Sequence, residues 1–373
     1  MAVKAALYLG LMSGTSADGI DVALASFTPR PKLIAGLTHP YPRALREAIL
    51  RIAQGDGHMT LDELGALDVE IARTFAEAAL KLLRQAGVKP RQVRALGSHG
   101  QTIRHRPSEA TPFTMQIGDA NVIAEQTGIV TVADFRRRDV AAGGQGAPLA
   151  PVFHAAMLGR SSKPRVVLNL GGIANITILP GPAKKPIRGF DTGPASCLLD
   201  AWTERHLGFP YDKDGAFAAS GSIDAILLRR LLGEPYFSKP PPKSTGREVF
   251  HLTWLQSHLR GLVLAPKDVQ ATLVALSAES IAAAILTEAP DTRHVFACGG
   301  GVHNPVLMQA IQSALSPTRL SNVAAVGIDP DFVEAMTFAW FARERLENRA
   351  VKNVASVTGA SGARVLGGIY SRI

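Results

Sequence analysis

The chain has 373 residues, of which 46% are hydrophobic and only 19% are charged, with 35 glycines spread along it. This composition excludes disordered and fibrous proteins and is typical of a soluble globular enzyme. The length predicts two or three domains, and two lobes are the simplest arrangement. The net charge of +9 comes from scattered Lys and Arg residues, and only 6% of residues are aromatic. We therefore expect an anionic small-molecule ligand and no nucleic-acid partner.

The cysteine content and the apolar runs indicate the compartment. Cys197 and Cys298 are too few for a disulfide framework and lack metal-ligand spacing, which predicts a cytoplasmic protein. The N-terminal apolar segment has no small-residue cleavage site. No apolar run is expected to reach the roughly 18 to 20 residues that a membrane helix requires, because even the alanine-rich span near Ile281 contains Ser277 and Glu279. We expect no membrane association.

The first glycine-rich motif is Gly10 to Asp21, GLMSGTSADGID, which lies between two apolar runs. The second run is short and is soon broken by Pro29 and Pro31, so the motif is predicted to be the turn of a β-hairpin. Consecutive backbone N–H groups and a Ser or Thr hydroxyl in such a turn can bind phosphate. Taken alone, the motif is also compatible with an ordinary glycine-rich turn.

A second strand–turn–strand motif lies in the other half of the chain. Arg165 to Leu179 reads RVVLNLGGIANITIL, with Gly171 and Gly172 at the turn and Asn175 just beyond. One phosphate hairpin in each half is what a duplicated, two-lobed nucleotide-binding fold requires to hold phosphates from both sides of a cleft. The second motif therefore favours phosphate binding for the first.

Apolar periodicity predicts helices over Ala44 to Ala53 and Leu61 to Gln85. A strand that ends at Ala95-Leu96 is predicted to open into the loop GSHGQTIRHRP. Loops at the carboxyl ends of strands face the ligand crevice of α/β proteins, so His99, Gln101 and Thr102 are candidates for substrate contact.

Near Asp134 the sequence changes from a predicted buried strand to a charged, glycine-rich segment, and this change predicts the lobe boundary. Lobe I is expected at 1–134 and lobe II at 135–350, with a C-terminal segment, 351–373, that returns to lobe I. Asp134, Arg136 and Asp139 follow a strand end, where they could contact substrate or form a solvated salt-bridge face. A last helix, Asp331 to Asn348, carries Glu334 on its first turn.

The segment GFDTGP places Asp191 between a predicted strand end and a helix from Cys197 to His206. The local sequence leaves two roles open for this carboxylate, a general base and a helix N-cap. Glu234 to Phe250 contains three consecutive prolines and is either a connector or a lid. Gly299 to Gly301 follow a strand and form either a platform for adenine or ribose or a tight turn.

An ordered set of motifs runs from Gly14 to Asn304: GTSADGID, GSHGQTIRHRP, DFRRRDVAAGGQGAPL, LNLGGIANIT, GFDTGP, PPPKSTGRE and ACGGGVHN. The set closely resembles the anhydro-N-acetylmuramic acid kinase family, part of the sugar kinase, heat-shock chaperone and actin superfamily, over essentially the whole chain. The resemblance implies an α/β, two-lobed actin-like (ribonuclease H-like) ATPase fold with ATP and sugar in the cleft between the lobes.

The resemblance also implies an activity. ATP would phosphorylate O6 of 1,6-anhydro-N-acetylmuramic acid while water opens the anhydro bridge, which yields N-acetylmuramic acid 6-phosphate for cell-wall recycling. A homodimer is implied as well. The alternatives are another hexose kinase of the superfamily and, outside sugar kinases, an actin-like or chaperone-like ATPase.

The family's catalytic aspartate falls on Asp191, as base toward the water. The implied ATP-binding residues are Gly14, Thr15, Ser16, Ala17, Asp18, Gly19, Ile20, Asp21, Gly171, Gly172, Asn175, Gly299, Gly300 and Gly301, with Asp18 near Mg²⁺ through water. The implied sugar-binding residues are His99, Gln101, Arg136, Asp139 and Glu334. Arg136 is the expected partner of the lactyl carboxylate. Ser196 stands where many relatives carry Asn, which puts the tuning of Asp191 in doubt.

Overall fold

The computed structural model describes residues 5–54, 58–159, 161–181 and 185–371, so residues 1–4 and 372–373 of the predicted lobes lie outside it. The strands are β1 (Leu7–Ser13), β2 (Ile20–Ser26), β3 (Lys32–His39), β4 (Val93–Arg106), β5 (Phe113–Ile117), β6 (Thr131–Ala133), β7 (Arg165–Leu170), β8 (Ile173–Leu179), β9 (Arg188–Pro194), β10 (His294–Cys298), β11 (Arg319–Asn322) and β12 (Gly368–Tyr370). The helices are α1 (Arg43–Gln54), α2 (Leu61–Gln85), α3 (Ala120–Thr127), α4 (Arg137–Ala141), α5 (Ala150–Leu158), α6 (Ser196–Leu207), α7 (Ala216–Ala219), α8 (Ala225–Leu232), α9 (Pro235–Ser238), α10 (Leu252–Leu259), α11 (Pro266–Glu288), α12 (Pro305–Leu315), α13 (Val333–Leu346) and α14 (Val354–Thr358).

The chain forms two compact units with boundaries that differ from those predicted. Unit 1 comprises the chain up to Leu158 together with the part from Gly327 onward, and unit 2 is Gly159–Val326. Asp134 is the turn that ends β6, with φ of 60°, and not a lobe boundary. Because β6 pairs with β4 and β12, and α5 packs on α13, the chain stays in unit 1 beyond this turn.

The central sheet of unit 1 has the strand order β12-β6-β4-β1-β2-β3, and β5 pairs with the far part of β4. Strands β1, β2 and β3 form an antiparallel meander, whereas β4 and β6 run parallel to β1. The antiparallel pairing of β1 with β2 confirms the first predicted hairpin. Helices α1 and α2 confirm the two predicted scaffold helices.

The sheet of unit 2 repeats this topology. Its order is β11-β10-β7-β8-β9, in which β7, β8 and β9 are an antiparallel meander and β10 and β11 run parallel to β7. The pairing of β7 with β8 confirms the second predicted hairpin. Each unit is thus a three-stranded meander extended by parallel strands, which is the duplication that the two glycine motifs predicted.

Helix α11 is the core helix of unit 2. By length and composition it could cross a membrane, which differs from the expectation that no segment would, but 72% of its apolar window is buried inside the protein. Leu276 and Ile281, for example, have no exposed surface. Such burial is typical of the core helix of a soluble protein.

Two glycines allow α13 to lie directly on the sheet of unit 1. A β-carbon on Gly10 would lie 1.8 Å from the Ala335 carbonyl oxygen, and one on Gly97 would lie 2.0 Å from that of Phe338. Real β-carbons do not approach backbone oxygens so closely. The first turn of α13, which carries Glu334, is therefore fixed next to β1 and β4.

We expect Gly97→Ala to lower the free energy of unfolding by about 2–3 kcal/mol, because the added methyl group forces α13 off the sheet. Gly65 is the matched control, since it lies within α2 and a β-carbon there meets nothing within 4 Å. Gly65→Ala should raise the free energy of unfolding by about 0.5–1 kcal/mol. Urea unfolding measures both, and equal effects would contradict the close packing of α13.

Candidate active site

In the turn between β1 and β2, other residues bond to the carbonyl groups of Gly14, Ser16 and Ala17, and the described residues leave two of the amides unbonded. Gln101 Nε2 donates to the Gly14 carbonyl at 3.1 Å, and Arg46 donates to the carbonyls of Ala17 at 3.1 Å and Ser16 at 3.4 Å. Ala17 has φ of 50°, the left-handed geometry that makes successive amides converge. In the described part of the chain, the N–H groups of Gly14 and Ser16 donate to no protein acceptor. The turn is therefore built to bind an anion.

Asp18 is predicted to lie near Mg²⁺ through water, and its surroundings do not favour direct metal ligation. Its Oδ1 accepts from Arg46 Nη2 at 2.9 Å, so its charge is already compensated. The described residues hold no group of three or more His, Cys, Asp or Glu side chains that could bind a metal.

The structure corrects the predicted loop after Leu96. Strand β4 continues to Arg106, because β5 pairs with residues Gln101 to Arg106. His99 and Gln101 therefore lie inside a strand and are buried. Gln101 accepts from the Tyr41 hydroxyl at 3.1 Å and donates to Gly14, so it positions the phosphate turn.

His99, Arg136, Asp139 and Glu334 lie together in unit 1. Arg136 Nε donates to His99 Nε2 at 2.9 Å, and Arg136 Nη1 donates to the Gly146 carbonyl at 2.7 Å. Burial and the Arg136 charge hold the pKa of His99 well below its usual value, so the ring is neutral and can accept. Burial lowers the pKa of Arg136 to about 10, against the opposing effects of Glu334 and Asp139, so Arg136 remains charged at neutral pH. Of its five N–H donors, two bond to His99 and Gly146, and no hydrogen bond from the other three to a described residue is present.

Asp139 is fully buried, so it cannot form a solvated face. One carboxylate oxygen accepts from the Gly146 amide at 2.7 Å and the other from the Thr358 hydroxyl at 2.8 Å. These bonds fix the glycine-rich loop whose carbonyl orients Arg136. The solvated ion pair in this segment is instead Asp134 with Arg137, at 3.6 Å.

The turn between β7 and β8 follows the same pattern as the first. The carbonyls of Gly171 and Gly172 accept from the first amides of α6: Ser196 N donates to Gly171 at 3.1 Å, and Cys197 N donates to Gly172 at 3.1 Å. Neither glycine N–H donates to another described residue. The second turn thus also presents free amides.

The predicted adenosine loop lies against this second turn. A β-carbon on Gly299 would lie 2.4 Å from Asn169 Oδ1, and one on Gly301 would lie 2.7 Å from the Leu170 side chain. Gly299 also has φ of 82°. Glycine is therefore required at both positions for the loop to approach the end of β7.

Asp191 lies in the middle of β9, not at a strand end as predicted. It pairs with Asn175 of β8, which in turn pairs with Asn169 of β7, so these polar side chains share one face of the sheet. The N-cap of α6 is Ala195, so the capping role left open for Asp191 is excluded.

One oxygen of Asp191 is fixed by the segment 243–245. Asp191 Oδ2 accepts from the Ser244 hydroxyl at 2.8 Å and from the Thr245 amide at 3.0 Å. The backbone is held too, since the Asp191 amide donates to the Lys243 carbonyl at 3.2 Å and the Tyr236 hydroxyl donates to the Asp191 carbonyl at 2.7 Å. No described residue donates to Oδ1, which leaves this oxygen for a ligand.

The pKa of Asp191 is raised, with burial as the largest cause. The hydrogen bonds from Thr245 and Ser244 act in the opposite direction because they stabilise the carboxylate, and Glu248 adds to the rise. A carboxylate with a raised pKa is a stronger base than one in water. Its position, fixed geometry and free oxygen suit proton abstraction.

We expect Ser244→Ala to raise the pKa of Asp191, because a hydrogen bond to the charged form is lost. The acid limb of kcat/KM should then move to higher pH, and kcat above that limb should fall by about 3–10-fold. Ser238→Ala is the matched control, since Ser238 donates only to the Pro235 carbonyl on the same segment. An acid limb at the same pH in both variants would contradict this role for Ser244.

Sequence reasoning missed several residues around these groups: Arg46, Tyr41, Asn169, Tyr236, Ser244 and Thr245. Ser244 and Thr245 lie in the motif PPPKSTGRE, which was noted but left as connector or lid. Their contacts with Asp191 span 53 and 54 residues, so only the motif could have indicated them.

Comparison with known proteins identifies the family. The family model "Anhydro-N-acetylmuramic acid kinase" matches residues 6–372. The chain belongs to the anhydro-N-acetylmuramic acid kinase family. A kinase of that name from Xanthomonas axonopodis pv. citri is 56% identical over 99% of both chains, and one from Coxiella burnetii is 48% identical over 97% of both.

The fold of this family member is that of actin-like ATPases. Component A of (R)-2-hydroxyglutaryl-CoA dehydratase from Acidaminococcus fermentans superposes with a TM-score of 0.50, covering 92% of this chain and 99% of that one, at 11% identity. Such low identity shows the fold alone. The predicted actin-like fold class is thus confirmed, as is the resemblance to the family.

Proposed function

We propose that the protein is an ATP-dependent phosphotransferase that converts 1,6-anhydro-N-acetylmuramic acid and water to N-acetylmuramic acid 6-phosphate. The family assignment supports the substrate, and the free amides of the Gly14 and Gly171 turns support ATP binding. The chemistry of the substrate suits the site, since a strained acetal opened by water needs a base in addition to phosphate-binding groups.

In the proposed reaction Asp191 is the one protein group that takes up and releases a proton. Asp191 Oδ1 takes a proton as a water molecule attacks the anomeric carbon C1, and the bond from C1 to O6 breaks. O6 takes the γ-phosphoryl group, the bond to ADP breaks, and Asp191 then releases its proton to solvent. The products are the 6-phosphate, ADP and one proton.

We assign sugar recognition to the cluster in unit 1. Arg136 has three further N–H donors for the lactyl carboxylate, and Glu334 can accept from sugar hydroxyl groups. Asp139 and Gln101 are fully engaged inside unit 1, so we assign them positioning roles. His99 uses Nε2 to orient Arg136.

The proposed function includes a metal ion, a compartment and an oligomeric state. ATP is used with Mg²⁺, which would reach Asp18 through water because Arg46 occupies Oδ1. We propose that the protein acts in the cytoplasm as a homodimer, and that its role there is in cell-wall recycling.

The single observation that carries the proposal is the fixed carboxylate of Asp191, with Oδ2 bound and Oδ1 free. ATP turnover measured with and without the anhydro-sugar, with mass spectrometry of the product, tests it. We expect turnover only with sugar and a product heavier by one phosphoryl group and one water. A product that gains phosphate alone would indicate an ordinary hexose kinase, and turnover without sugar an actin-like or chaperone-like ATPase.

A further inference from the structure

Arg247 is an exposed cation beside the second glycine turn. Within the described residues its guanidinium makes no hydrogen bond or ion pair, whereas most arginines of the site, such as Arg46 and Arg136, do. It lies next to the second glycine turn: a β-carbon built on Gly172 would lie 3.6 Å from Arg247 Nη2 and 3.7 Å from Nε. Its charge also acts on the Cys197 thiol at the start of α6, where it opposes the rise in pKa that burial causes.

The backbone around Arg247 is held at both ends, so the side chain is carried by a fixed segment. On one side the Thr245 amide donates to Asp191 at 3.0 Å. On the other, Phe250 is buried in the core of unit 2, and its amide closes a turn onto the Gly246 carbonyl at 3.1 Å. A residue between two such anchors has a defined position.

Three sources of positive potential therefore meet at this point of unit 2. They are the free amides of Gly171 and Gly172, the N-terminus of the 12-residue helix α6 and the Arg247 guanidinium. These positive charges and dipole ends repel one another, and no described carboxylate pairs with Arg247 to offset the repulsion. Such an arrangement favours a bound anion, and the planar guanidinium fits a phosphoryl group.

We infer that Arg247 binds the transferred phosphoryl group of ATP. This inference rests on the proposed function. The γ-phosphoryl is favoured over the other phosphates because Arg247 is two residues from Thr245, which bonds to the proposed base Asp191. The adenosine end of ATP is instead predicted to lie at the loop that begins with Gly299. As the bond from O6 to phosphorus forms and the bond to ADP breaks, the guanidinium stabilises the equatorial oxygens.

Nucleotide binding without sugar tests the inference separately from the proposed reaction. By calorimetry, Arg247→Ala should weaken binding of the β,γ-imido analogue of ATP by about 10–100-fold, the range for a charge-assisted hydrogen bond. Binding of ADP, which lacks the γ-phosphoryl, should change less than about threefold. Equal weakening of both nucleotides, or of neither, would overturn the inference.

Kinetics provide the second measurement. Arg247→Ala should lower kcat by about 100-fold or more, and Arg247→Lys should restore part of it because the charge remains while the fork is lost. Arg229→Ala is the matched control, because Arg229 is an exposed arginine of α8 whose guanidinium makes no hydrogen bond or ion pair with a described residue, and it should leave kcat unchanged. Melting temperatures of all variants should agree. A kcat for Arg247→Ala within twofold of wild type would overturn the inference, whereas failure of the proposed reaction would instead appear as an inactive wild-type protein.

Discussion

Asp191→Asn removes the proposed base, and we expect kcat for ring opening to fall by about 10³-fold, within the range that general base catalysis contributes. The amide keeps the shape of the carboxylate and can still accept from Ser244 and Thr245, so the local structure should persist. Because the free amides of Gly171 and Gly172 are untouched, the affinity for ATP measured by calorimetry should stay within about threefold of wild type.

The Asp191→Asn variant should also remain stably folded. Burial raises the pKa of this carboxyl group, so the neutral amide should leave the protein at least as stable as wild type at pH 7. Residual turnover in Asp191→Asn together with a lost affinity for ATP would place this carboxylate in nucleotide binding and remove it from the base role.

Arg136→Ala should raise the KM for the anhydro-sugar by about 100-fold, while the KM for ATP changes little. The expected loss follows from a charge-assisted bidentate bond to the lactyl carboxylate. The neighbouring Arg137 is the matched control, because it is exposed and its recorded ion pair is a solvated one with Asp134 at 3.6 Å. Arg137→Ala should leave both KM values unchanged.

Arg136 also stabilises the fold through its hydrogen bonds, so the effect of Arg136→Ala on stability has to be measured separately from its effect on sugar binding. The substitution leaves the Gly146 carbonyl without its donor, so we expect a loss of about 1–3 kcal/mol in the free energy of unfolding. Arg136→Lys keeps the charge but cannot bond to His99 and Gly146 in the same fork. If Lys restores the wild-type KM, recognition depends on charge alone and the bidentate assignment is wrong.

The glycine turns were predictable because their signal is local. Glycines between two apolar runs, as at Gly14 and Gly171, predict a hairpin, and both hairpins are present with the expected pairing. Their repetition predicted two units of like topology. Apolar periodicity likewise predicted α1 and α2 to within one residue at each end.

The errors arose where tertiary contacts override local pattern. His99 and Gln101 are polar and were placed in a loop, but both lie in β4, which pairing with β5 extends to Arg106. There His99 Nε2 accepts from Arg136 and Gln101 accepts from Tyr41. The end of unit 1 was misplaced because the return of α13 depends on the close approach of Gly10 and Gly97 to a helix far along the chain.

The surroundings of Asp191 could not be derived from local pattern for the same reason. Its fixed geometry comes from a proline-rich segment without periodicity, and the Ser244 contact joins residues 53 positions apart. Local sequence left the base and N-cap roles open, and only the placement of Ala195 at the helix start excluded the second.

Isotope labelling tests the central claim, that water attacks the anomeric carbon while O6 takes the phosphoryl group. The reaction is run in water enriched in oxygen-18, quenched early, and the product is fragmented by mass spectrometry. The account predicts one heavy oxygen on C1 and none in the phosphate ester. Heavy oxygen in the phosphate, or an unlabelled sugar, would contradict it.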